Sequence, residues 1–505
     1  MKVLISLTTY KNFSLICIIL LTVLFNANAQ TQKFQKVYGG YSYDYGNDLL
    51  QTPDTGYLLL CTSNSFSGSS DIYLLKVDKL GMYEWQHTYG GTEIEGACKI
   101  KFTQDGNLAM AGHTSSYINS TYDFYLVKAQ MNGDTIWTKH YGTNDWDFAN
   151  SMDTCSDGGF IMAGKTYDTG NAYSDILIIK TDAEGNEQWQ KKIGGNKDDV
   201  ANSIITIPDG YLICGTTNSN NNLNKDIYLV KIDLNGSIVS ENFFGENGND
   251  EGGDIIQKTD GKYALACSSH SLSFPQNYNN LIINFDLQNN SIIQTYESNY
   301  TVDVKLNSII ECFDQTLLSV GYIASLGSGY EDMFLVKLNN GLYFEGGSTY
   351  GGNFEDIANN VITTLDSGYA IIGSSTSFGS GLSNIFLVKL DSTLILGGVP
   401  NTYVSLKEYN QLVNSPYIAF PNPFSNFTTI NIDFPISVVS GAEFNLSILD
   451  QLGQEVSSQV AYDIKENNKG SAITINNLSL SSGMYFYSLT SKDKTIAQGK
   501  FTISK

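Results

Sequence analysis

The sequence contains no arginine: all 29 of its basic residues are lysines, against 51 aspartate and glutamate residues. The formal net charge is therefore −22. A nucleic acid or an anionic membrane has to be met by a basic surface, so this charge argues against both as partners. The absence of arginine also excludes a bidentate guanidinium clamp for phosphate or carboxylate groups.

Histidine and cysteine are scarce, with 4 and 7 residues. No histidine lies in an H-E-x-x-H or nucleophile-elbow motif, and no cysteine lies in a C-x-x-C pair or a zinc-type cluster. We therefore predict no catalytic residue, no metal and no cofactor from motifs. Six cysteines lie in or beside apolar segments, where a thiol is usually a small buried hydrophobe. Cys214 and Cys267, on neighbouring repeats, are the pair to test for a disulfide.

The first 29 residues have the pattern of an export signal. Lys2 and Lys11 form a positive segment ahead of an apolar run over residues 13–25, and Ala27-Asn28-Ala29 offers a small-x-small cleavage site. The run is short for a membrane span, and no later segment is long and apolar enough for one. We predict a signal peptide over residues 1–29, no transmembrane span after its removal, and a mature charge of −22 − 2 = −24.

A segment of alternating apolar residues that starts with Asp or Asn recurs seven times. Its copies start at Asp71, Asp123, Asp175, Asp226, Asn279, Asp332 and Asn384, at steps of 52, 52, 51, 53, 53 and 52 residues. Each unit contains four strand-length segments, and some are apolar on both faces. Such a sheet has to be covered on both faces, which radial stacking achieves. We predict an all-β chain with a seven-bladed β-propeller over residues 30–398.

The strand count also predicts how the ring closes. The fourth-strand pattern first occurs at residues 34–38, before any third strand, and the last third strand is followed by only a weak copy. We therefore expect the N-terminal strand to complete the last sheet, since closure removes exposed sheet edges. An open solenoid would need capping units, which the sequence does not show.

Acidic residues recur at the starts of strands one and three, which should share one face of the ring. The first set is Asp44, Glu95, Asp147, Asp199, Glu251, Asp303 and Asp356, and the second is the Asp/Asn series that begins at Asp71. Their carboxylates suit calcium, but repetition in every unit and the absence of a D-x-D-x-D-G loop favour a structural role. In that role each Asp bonds the backbone of its own loop.

The loops between the second and third strands vary most and are rich in Ser, Asn, Gly and Thr. The candidate ligand-binding residues in these and the adjoining loops are Trp146, Tyr117, Tyr122, Tyr173, Phe274, Tyr278 and Tyr330. Aromatic faces among hydroxyl and amide groups suit sugar rings or protein partners. We predict a non-catalytic glycan- or protein-binding protein with a role in adhesion. A secreted polysaccharide hydrolase or lyase with paired carboxylates in the ring mouth is the alternative, and a scaffold without a ligand also stays open.

After Gly398 the repeat stops. Residues 399–416 have the composition of a linker, and the short strands of residues 417–505 predict a small β-sandwich. Four features follow in order: Pro421-Asn422-Pro423, Gly453 in an L-x-x-x-G-x-x-V frame, Gly483-Met484-Tyr485, and a terminal pattern that includes Lys500 and Lys505.

Together these features resemble the C-terminal sorting domain of proteins that Gram-negative bacteria export through the type IX secretion system. The resemblance implies recognition by the type IX machinery, passage across the outer membrane, and then attachment to the cell surface or release. The repeat is similar to the β-propeller repeats often found ahead of such tails, which implies the fold but no chemistry.

Overall fold

The computed structural model describes residues 33–504 except for short gaps. The gaps are residues 67–68, 118–120, 168–172, 221–223, 246–247, 271–276, 299, 325–329, 395–401, 404–418, 421–424, 433–444, 451–453, 468–469, 478 and 492–493. The predicted signal peptide lies outside the described residues. These residues divide into two compact units on either side of the Val404–Ser405 boundary.

The described part of the first unit consists of antiparallel sheets of four strands. After β1 (Phe34–Tyr38), the sheets are blade 1, β2–β5 (Asp44–Gln51, Tyr57–Ser63, Asp71–Val77, Tyr83–Tyr89); blade 2, β6–β9 (Glu95–Phe102, Leu108–Thr114, Asp123–Ala129, Thr135–Tyr141); blade 3, β10–β13 (Asp147–Thr154, Phe160–Tyr167, Ser174–Thr181, Glu187–Ile193); and blade 4, β14–β17 (Asp199–Ile207, Gly210–Thr217, Asp226–Ile232, Ile238–Phe244). There follow blade 5, β18–β21 (Asp250–Gln257, Tyr263–Ser269, Asn279–Asp286, Ser291–Glu297); blade 6, β22–β25 (Val304–Glu311, Leu317–Ala324, Glu331–Leu338, Phe344–Tyr350); and blade 7, β26–β28 (Asp356–Thr363, Tyr369–Ser375, Asn384–Leu390).

The first strands of neighbouring blades pack against each other around a complete ring, from β2 and β6 through to β26 and β2. Blade 7 takes its fourth strand from the N-terminus, because β1 pairs antiparallel with β28, with Val37 opposite Phe386. A two-residue strand, β29 (Thr402–Tyr403), lies parallel to the outer side of β1. The predicted β-propeller and its closure by the N-terminal strand are confirmed.

Blades 2 to 6 each contribute to two apolar cores, one on either face. In β8, Phe124 and Leu126 pack with blade 3, whereas Tyr125 and Val127 pack with blade 1. Every residue of β8 is buried. Since side chains alternate along a strand, a strand buried on both faces needs a neighbour on each side.

The periodic tryptophans pack between blades. They cover the glycine in the next blade's turn between strands three and four, in the pairs Trp85–Gly133, Trp137–Gly185 and Trp189–Gly236. These glycines have φ angles of 89°, 74° and 78°, which L side chains rarely adopt. An added Cβ on Gly185 would also lie 2.6 Å from the Trp137 ring, so the turn needs glycine for two reasons.

A lysine near the end of the third strand reaches the Asp of the turn between strands one and two. The pairs and their N–O distances are Lys76–Asp54 (3.1 Å), Lys128–Asp105 (2.8 Å), Lys180–Asp157 (2.7 Å), Lys231–Asp209 (2.7 Å), Lys337–Asp314 (3.0 Å) and Lys389–Asp366 (3.0 Å). Blade 5 has Asn284 at this position and instead pairs Lys258 with Asp260 and Lys262 with Asp286. The turn acids that mark each repeat are therefore ion-paired within their own blades.

The second unit contains two antiparallel sheets and a short 3₁₀ helix, Ser457–Gln459. One sheet has the order β30 (Ala419–Phe420), β31 (Phe427–Ile432), β34 (Gly470–Asn477), β33 (Val460–Asn467), and the other β32 (Asn445–Leu449), β35 (Gly483–Ser491), β36 (Lys494–Ile503). Ile430 and Ile473 of the first sheet share one core with Ile448 and Phe501 of the second. The unit is therefore a small β-sandwich.

The predicted sorting residues lie partly within this sandwich. Gly483 begins β35, the buried Tyr485 donates a hydrogen bond to the Ser481 carbonyl oxygen at 3.0 Å, and Lys500 belongs to β36. Pro421, Asn422, Pro423, Gly453 and Lys505 lie outside the described residues. No helix in the described part of the chain has the length and apolar character of a membrane span.

We predict that Asp157→Ala destabilises the propeller by about 1–2 kcal/mol. Lys180 is buried, and the variant deprives its ammonium group of a charged partner. The loss is modest because the carboxylate of Asp157 is half-exposed. Urea unfolding measures the loss, with the exposed Glu184→Ala as the matched control. A double variant, Asp157→Asn with Lys180→Met, should recover part of it. Equal midpoints for Asp157→Ala and Glu184→Ala would contradict the prediction.

A chain that begins at Gly39 lacks β1 and leaves the buried strand β28 with an open edge. We expect a lower urea midpoint and association through that edge, because unpaired strand edges bind other chains. Size-exclusion chromatography and urea unfolding test both effects against a chain that begins at Lys33. A monomeric variant with an unchanged midpoint would show that β1 is not needed for closure.

Candidate functional site

The loops that precede the first and third strands share one face of the ring, called here the loop face. Backbone hydrogen bonds join the two loop sets within a blade. Asn64 N donates to Tyr43 O at 2.9 Å in blade 1, and Tyr167 N donates to Trp146 O at 2.9 Å in blade 3. The loop face therefore brings together the acidic and aromatic positions that the sequence singled out.

The seven predicted acids do not occupy one structural position. The strand registers, each with a bulge, place Asp44, Glu95, Asp147, Asp199, Asp250, Val304 and Asp356 at the first position of the first strand. Glu251 is instead the second residue of β18, and Asp303 precedes β22. In blades 5 and 6 the predicted acid lies one residue away from the shared position. Blade 5 has two consecutive acids, Asp250 and Glu251, and blade 6 has Val304 at the shared position.

The acids at the shared position bond their own loops. Asp44 accepts hydrogen bonds from Gly40 N at 2.8 Å, from Ser65 Oγ at 2.7 Å and from Ser63 Oγ. Burial raises the pKa of Asp44, and these hydrogen bonds oppose the rise. Equivalent bonds to a backbone N–H and a hydroxyl are made by Glu95, Asp199 and Asp356.

Acids of the second set face those of the first across the blade junctions. At Gly90, an added Cβ would lie 2.0 Å from Asp71 Oδ1 and 2.3 Å from Glu95 Oε2, so the two carboxyl groups meet over a glycine. Burial and the adjacent Glu95 raise the pKa of Asp71 to about 7. In the described part of the chain, no group of three or more His, Cys, Asp or Glu side chains is placed to hold a metal ion.

The first strands surround a central polar cavity of about 460 Å³. Its wall includes the bulge residues of the first strands, which are Asn47, Cys98, Asn150, Asn202, Gly253, Asn307 and Asn359. Several of these asparagines donate to a backbone carbonyl of the next blade, such as Asn150 to Ala201 O at 2.9 Å and Asn202 to Gly252 O at 2.6 Å. The bulge residues therefore join neighbouring blades as well as line the cavity.

The charged residues after the bulges also bond neighbouring blades. Asp254 accepts hydrogen bonds from Ser203 of blade 4 at 2.8 Å and Ser308 of blade 6 at 3.1 Å. Lys99 Nζ lies 3.8 Å from Asp48 of blade 1. Burial lowers the pKa of Lys99, but the carboxylates of Asp48 and Asp254 outweigh it, so the net shift is upward. These charges stabilise the ring from within.

The second residue of each first strand forms the mouth ring, which borders the loop face. Its members are Tyr45, Gly96, Phe148, Val200, Glu251, Lys305 and Ile357. They are partly or fully exposed except for Gly96. No two of them are the same residue type, whereas the positions on either side repeat. The residue types in the mouth ring therefore do not follow the repeat that the neighbouring positions of the first strands show.

Blades 4, 5 and 6 form a charged sector at the mouth ring, consisting of Lys225 of blade 4, Glu251 and Tyr278 of blade 5, and Lys305 of blade 6. Glu251 is 2.8 Å from Lys225 Nζ and 2.7 Å from Lys305 Nζ, and it accepts a hydrogen bond from the Tyr278 hydroxyl at 3.1 Å. Lys305 Nζ also lies 3.9 Å from the centre of the Tyr278 ring. Burial alone would raise the pKa of Glu251, but the two lysines lower it to about 2.

Blades 2 and 3 form an aromatic sector at the mouth ring, consisting of His113 and Tyr122 of blade 2, Trp146 of the loop before β10, and Phe148 of the mouth ring itself. The Phe148 ring centre lies 4.8 Å from that of Tyr122 and 5.1 Å from that of His113, and Tyr122 is 5.8 Å from Trp146. Trp146 is 52% exposed. Burial lowers the pKa of His113 to about 4, so its ring is neutral at neutral pH.

The structure brings together only some of the predicted aromatic residues. Tyr122 and Trp146 meet in the aromatic sector, and Tyr278 belongs to the charged sector. Tyr117 instead stacks on His140, and the ring centre of Tyr330 lies 6.2 Å from that of Phe354. Tyr173 is 41% exposed. Phe274 lies outside the described residues.

The sequence pattern did not point to Phe148, Lys225 or Lys305, and it grouped Glu251 with the capping acids. The small residue two places after the capping acid is a better marker for aligning the repeats. An alignment on this residue could have revealed that the position between it and the acid is variable. That residue is Gly or Ala in most blades, as in Gly46 and Ala97.

Residues 418–504 match the secretion system C-terminal sorting domain family. A curated relative, the regulatory protein FlaEY of Caulobacter vibrioides, is 23% identical over 200 residues, which are 35% of this chain and 20% of that protein. The matched part is thus about a fifth of the relative's length.

Similar solved structures include the β-propeller domain of the Trilobed protease from Pyrococcus furiosus, at 10% identity over 72% of this chain and 98% of that chain, with a TM-score of 0.43. Another is the Pan2 WD40 domain of Neurospora crassa, at 11% identity over 70% of this chain and 89% of that chain, with a TM-score of 0.37. Neither similarity bears on function. The family match does: residues 418–504 are a type IX secretion sorting domain, and the protein is secreted across the outer membrane to the cell surface or the extracellular space.

Proposed function

We propose that the exported propeller is a non-catalytic glycan-binding protein that binds sugar at the mouth ring and serves in adhesion. The observation that carries the proposal is the aromatic sector. Trp146 presents an exposed ring beside Tyr122 and Phe148, and Asn150, two residues after Phe148, lines the polar cavity. An exposed aromatic cluster at the edge of a polar cavity fits a ligand with both apolar and hydroxyl-bearing faces.

A sugar ring has this combination of surfaces. Its C–H faces can stack on Trp146, while its hydroxyl groups need donors and acceptors. The cavity wall supplies both, in the hydroxyls of Ser268 and Tyr322 and the charged groups of Glu251 and Lys305. A protein partner would need an extended contact surface, whereas the polar groups here converge in a concave site.

The carboxylates of the cavity support binding over hydrolysis. Glycoside hydrolysis uses one protonated and one ionised carboxyl group about 5 to 9 Å apart. The lowered pKa of Glu251 keeps it ionised at neutral pH, so it is unsuited to act as the acid. Asp254, which also lines the cavity, accepts a hydrogen bond from Ile309 N, which commits it to holding neighbouring blades together. Burial raises the pKa of Asp48, but this carboxyl group is buried and accepts a hydrogen bond from Ile100 N of the next blade, which gives it the same role.

Trp146→Ala should weaken glycan binding by about 2 kcal/mol, or roughly 30-fold in Kd, because it removes the exposed stacking surface. The full mature chain is first tested on a glycan array, and Kd values are then measured by calorimetry for the glycans that bind.

Tyr343→Ala is the matched control for this variant. Tyr343 is 70% exposed and lies in a turn between strands three and four, outside the loop face. It should leave Kd unchanged, and a chelator should also leave Kd unchanged if the loop acids are structural. An array without a bound glycan would reject the glycan ligand and favour a protein partner or a scaffold.

We further expect the wild-type chain to release no reducing sugar from any polysaccharide that it binds. Glu251→Gln should change Kd only a few-fold, since Lys225 and Lys305 remain. A reducing-end assay at neutral pH measures release. Activity that Glu251→Gln lowers by about 100-fold or more would establish the hydrolase alternative.

A further inference from the structure

Cys214 and Cys267 face each other across the junction of blades 4 and 5. Cys214 lies in β15 and Cys267 in β19, and both are fully buried in one apolar cluster that includes Leu229 and Ile283. Both side chains therefore lie in the core between blades 4 and 5. This pair differs from the other cysteines, which lie in other blades.

The strand registers explain how the thiols meet. Cys267 occupies a position that is glycine in the other blades except blade 1, as in the register pairs Gly46–Cys61, Ala97–Gly112, Ala149–Gly164, Ala201–Gly215, Gly252–Cys267, Leu306–Gly321 and Ala358–Gly373. Wherever this position is Cys, its partner on the first strand is Gly. Each of these register pairs thus consists of one glycine and one residue with a side chain. In blades 1 and 5 the cysteine supplies that side chain, whereas in the other blades an Ala or Leu of the first strand does.

The residue that faces this position from the preceding blade decides whether a disulfide can form. An added Cβ on Gly252 would lie 2.9 Å from Cys214 Sγ, so Cys214 borders the register partner of Cys267. The same construction at Gly46 places Ile372 at 2.5 Å, so Cys61 meets an isoleucine. Among the described residues, the junction of blades 4 and 5 is therefore where this geometry brings two cysteines together.

We propose that Cys214 and Cys267 form a disulfide that links blades 4 and 5 when the protein is exported. The sorting domain directs the chain out of the cell, and disulfides form and persist in such oxidising compartments. The inference is independent of the glycan proposal, because it rests on packing within the ring.

The reaction is a two-electron oxidation by thiol–disulfide exchange. One cysteine thiolate attacks the disulfide of a periplasmic oxidoreductase, which gives a mixed disulfide and releases one oxidoreductase thiol. The second cysteine then displaces the other oxidoreductase sulfur and forms the Cys214–Cys267 bond. The two cysteines lose two protons and two electrons in total, and the oxidoreductase disulfide is reduced to a dithiol.

The bond forms before the two blades have finished packing. The adjacent thiol of Cys267 and burial raise the pKa of Cys214, so the folded core disfavours the reactive thiolate. Once the junction closes, the same burial shields the disulfide from reductants. The bond would join β15 to β19, and β19 pairs with β18, the strand that carries Glu251.

Peptide mapping tests the proposal directly. The chain from Gln30 to Lys505 is produced in an oxidising periplasm, denatured, alkylated without reductant and digested with trypsin. Because lysines follow both positions and separate them, Cys214 falls in peptide 198–225 and Cys267 in peptide 263–305. We expect these peptides as one linked species that reductant separates, and four alkylated thiols per chain, which is six minus two.

Two variants make the result specific. Cys214→Ala should abolish the linked species and leave Cys267 alkylated, whereas Cys61→Ala should keep the linked species. Reductant should lower the thermal midpoint of the wild-type chain and of Cys61→Ala but not that of Cys214→Ala. Recovery of peptides 198–225 and 263–305 separately alkylated, without reductant, from the folded wild-type chain would overturn the proposal.

Discussion

The propeller depends on one constraint: its middle strands are apolar on both faces. In β8, Phe124 and Tyr125 are adjacent and pack into different cores, so blade 2 needs a neighbour on each side. Each neighbour has the same need, and an open stack would leave two faces uncovered. Only a closed ring satisfies every blade. The pairing of β1 with β28 completes that ring and ties the two ends of the repeat together.

Closure also determines where the sequence is free to vary. The first residue of most first strands bonds its loop, the third faces the preceding blade, and the bulge residue often bonds the next blade. Between these lies the second residue, whose side chain borders the mouth. Phe148 and Glu251 occupy this same position in blades 3 and 5, with opposite chemistry. Seven nearly equivalent blades thus produce an asymmetric mouth, and it is this asymmetry that supports a binding site there.

The spacing of the repeats predicted the propeller and its closure, because the repeat length and the number of strands stay the same when individual residues change. The terminal motifs likewise predicted the sorting domain, even though several of their residues lie outside the described chain. The candidate site was less predictable, since it depends on register. A shift of one residue moves a side chain to the opposite face of a strand. Counted by spacing, Glu251 belongs with the capping acids, but in β18 it faces Lys225 and Lys305, and Asp250 holds the capping position. Spacing alone could not distinguish two consecutive acids, nor could it reveal lysines contributed by the two adjacent blades.

The ion pairs and hydrogen bonds of the charged side chains change how the net charge of the chain is interpreted. Most of the lysines at the ends of the third strands pair with turn acids of their own blades. Several acids at the blade junctions accept hydrogen bonds from their loops, while burial and the adjacent Glu95 raise the pKa of Asp71 to about 7. In the charged sector of the mouth, by contrast, Lys225 and Lys305 outnumber Glu251. A sugar that stacks on Trp146 would meet these lysines on the far side of the ring. If the proposed function holds, the ligand is held by its apolar face at blades 2 and 3 and by its polar groups at blades 4 to 6, so the two sectors fix its direction across the cavity.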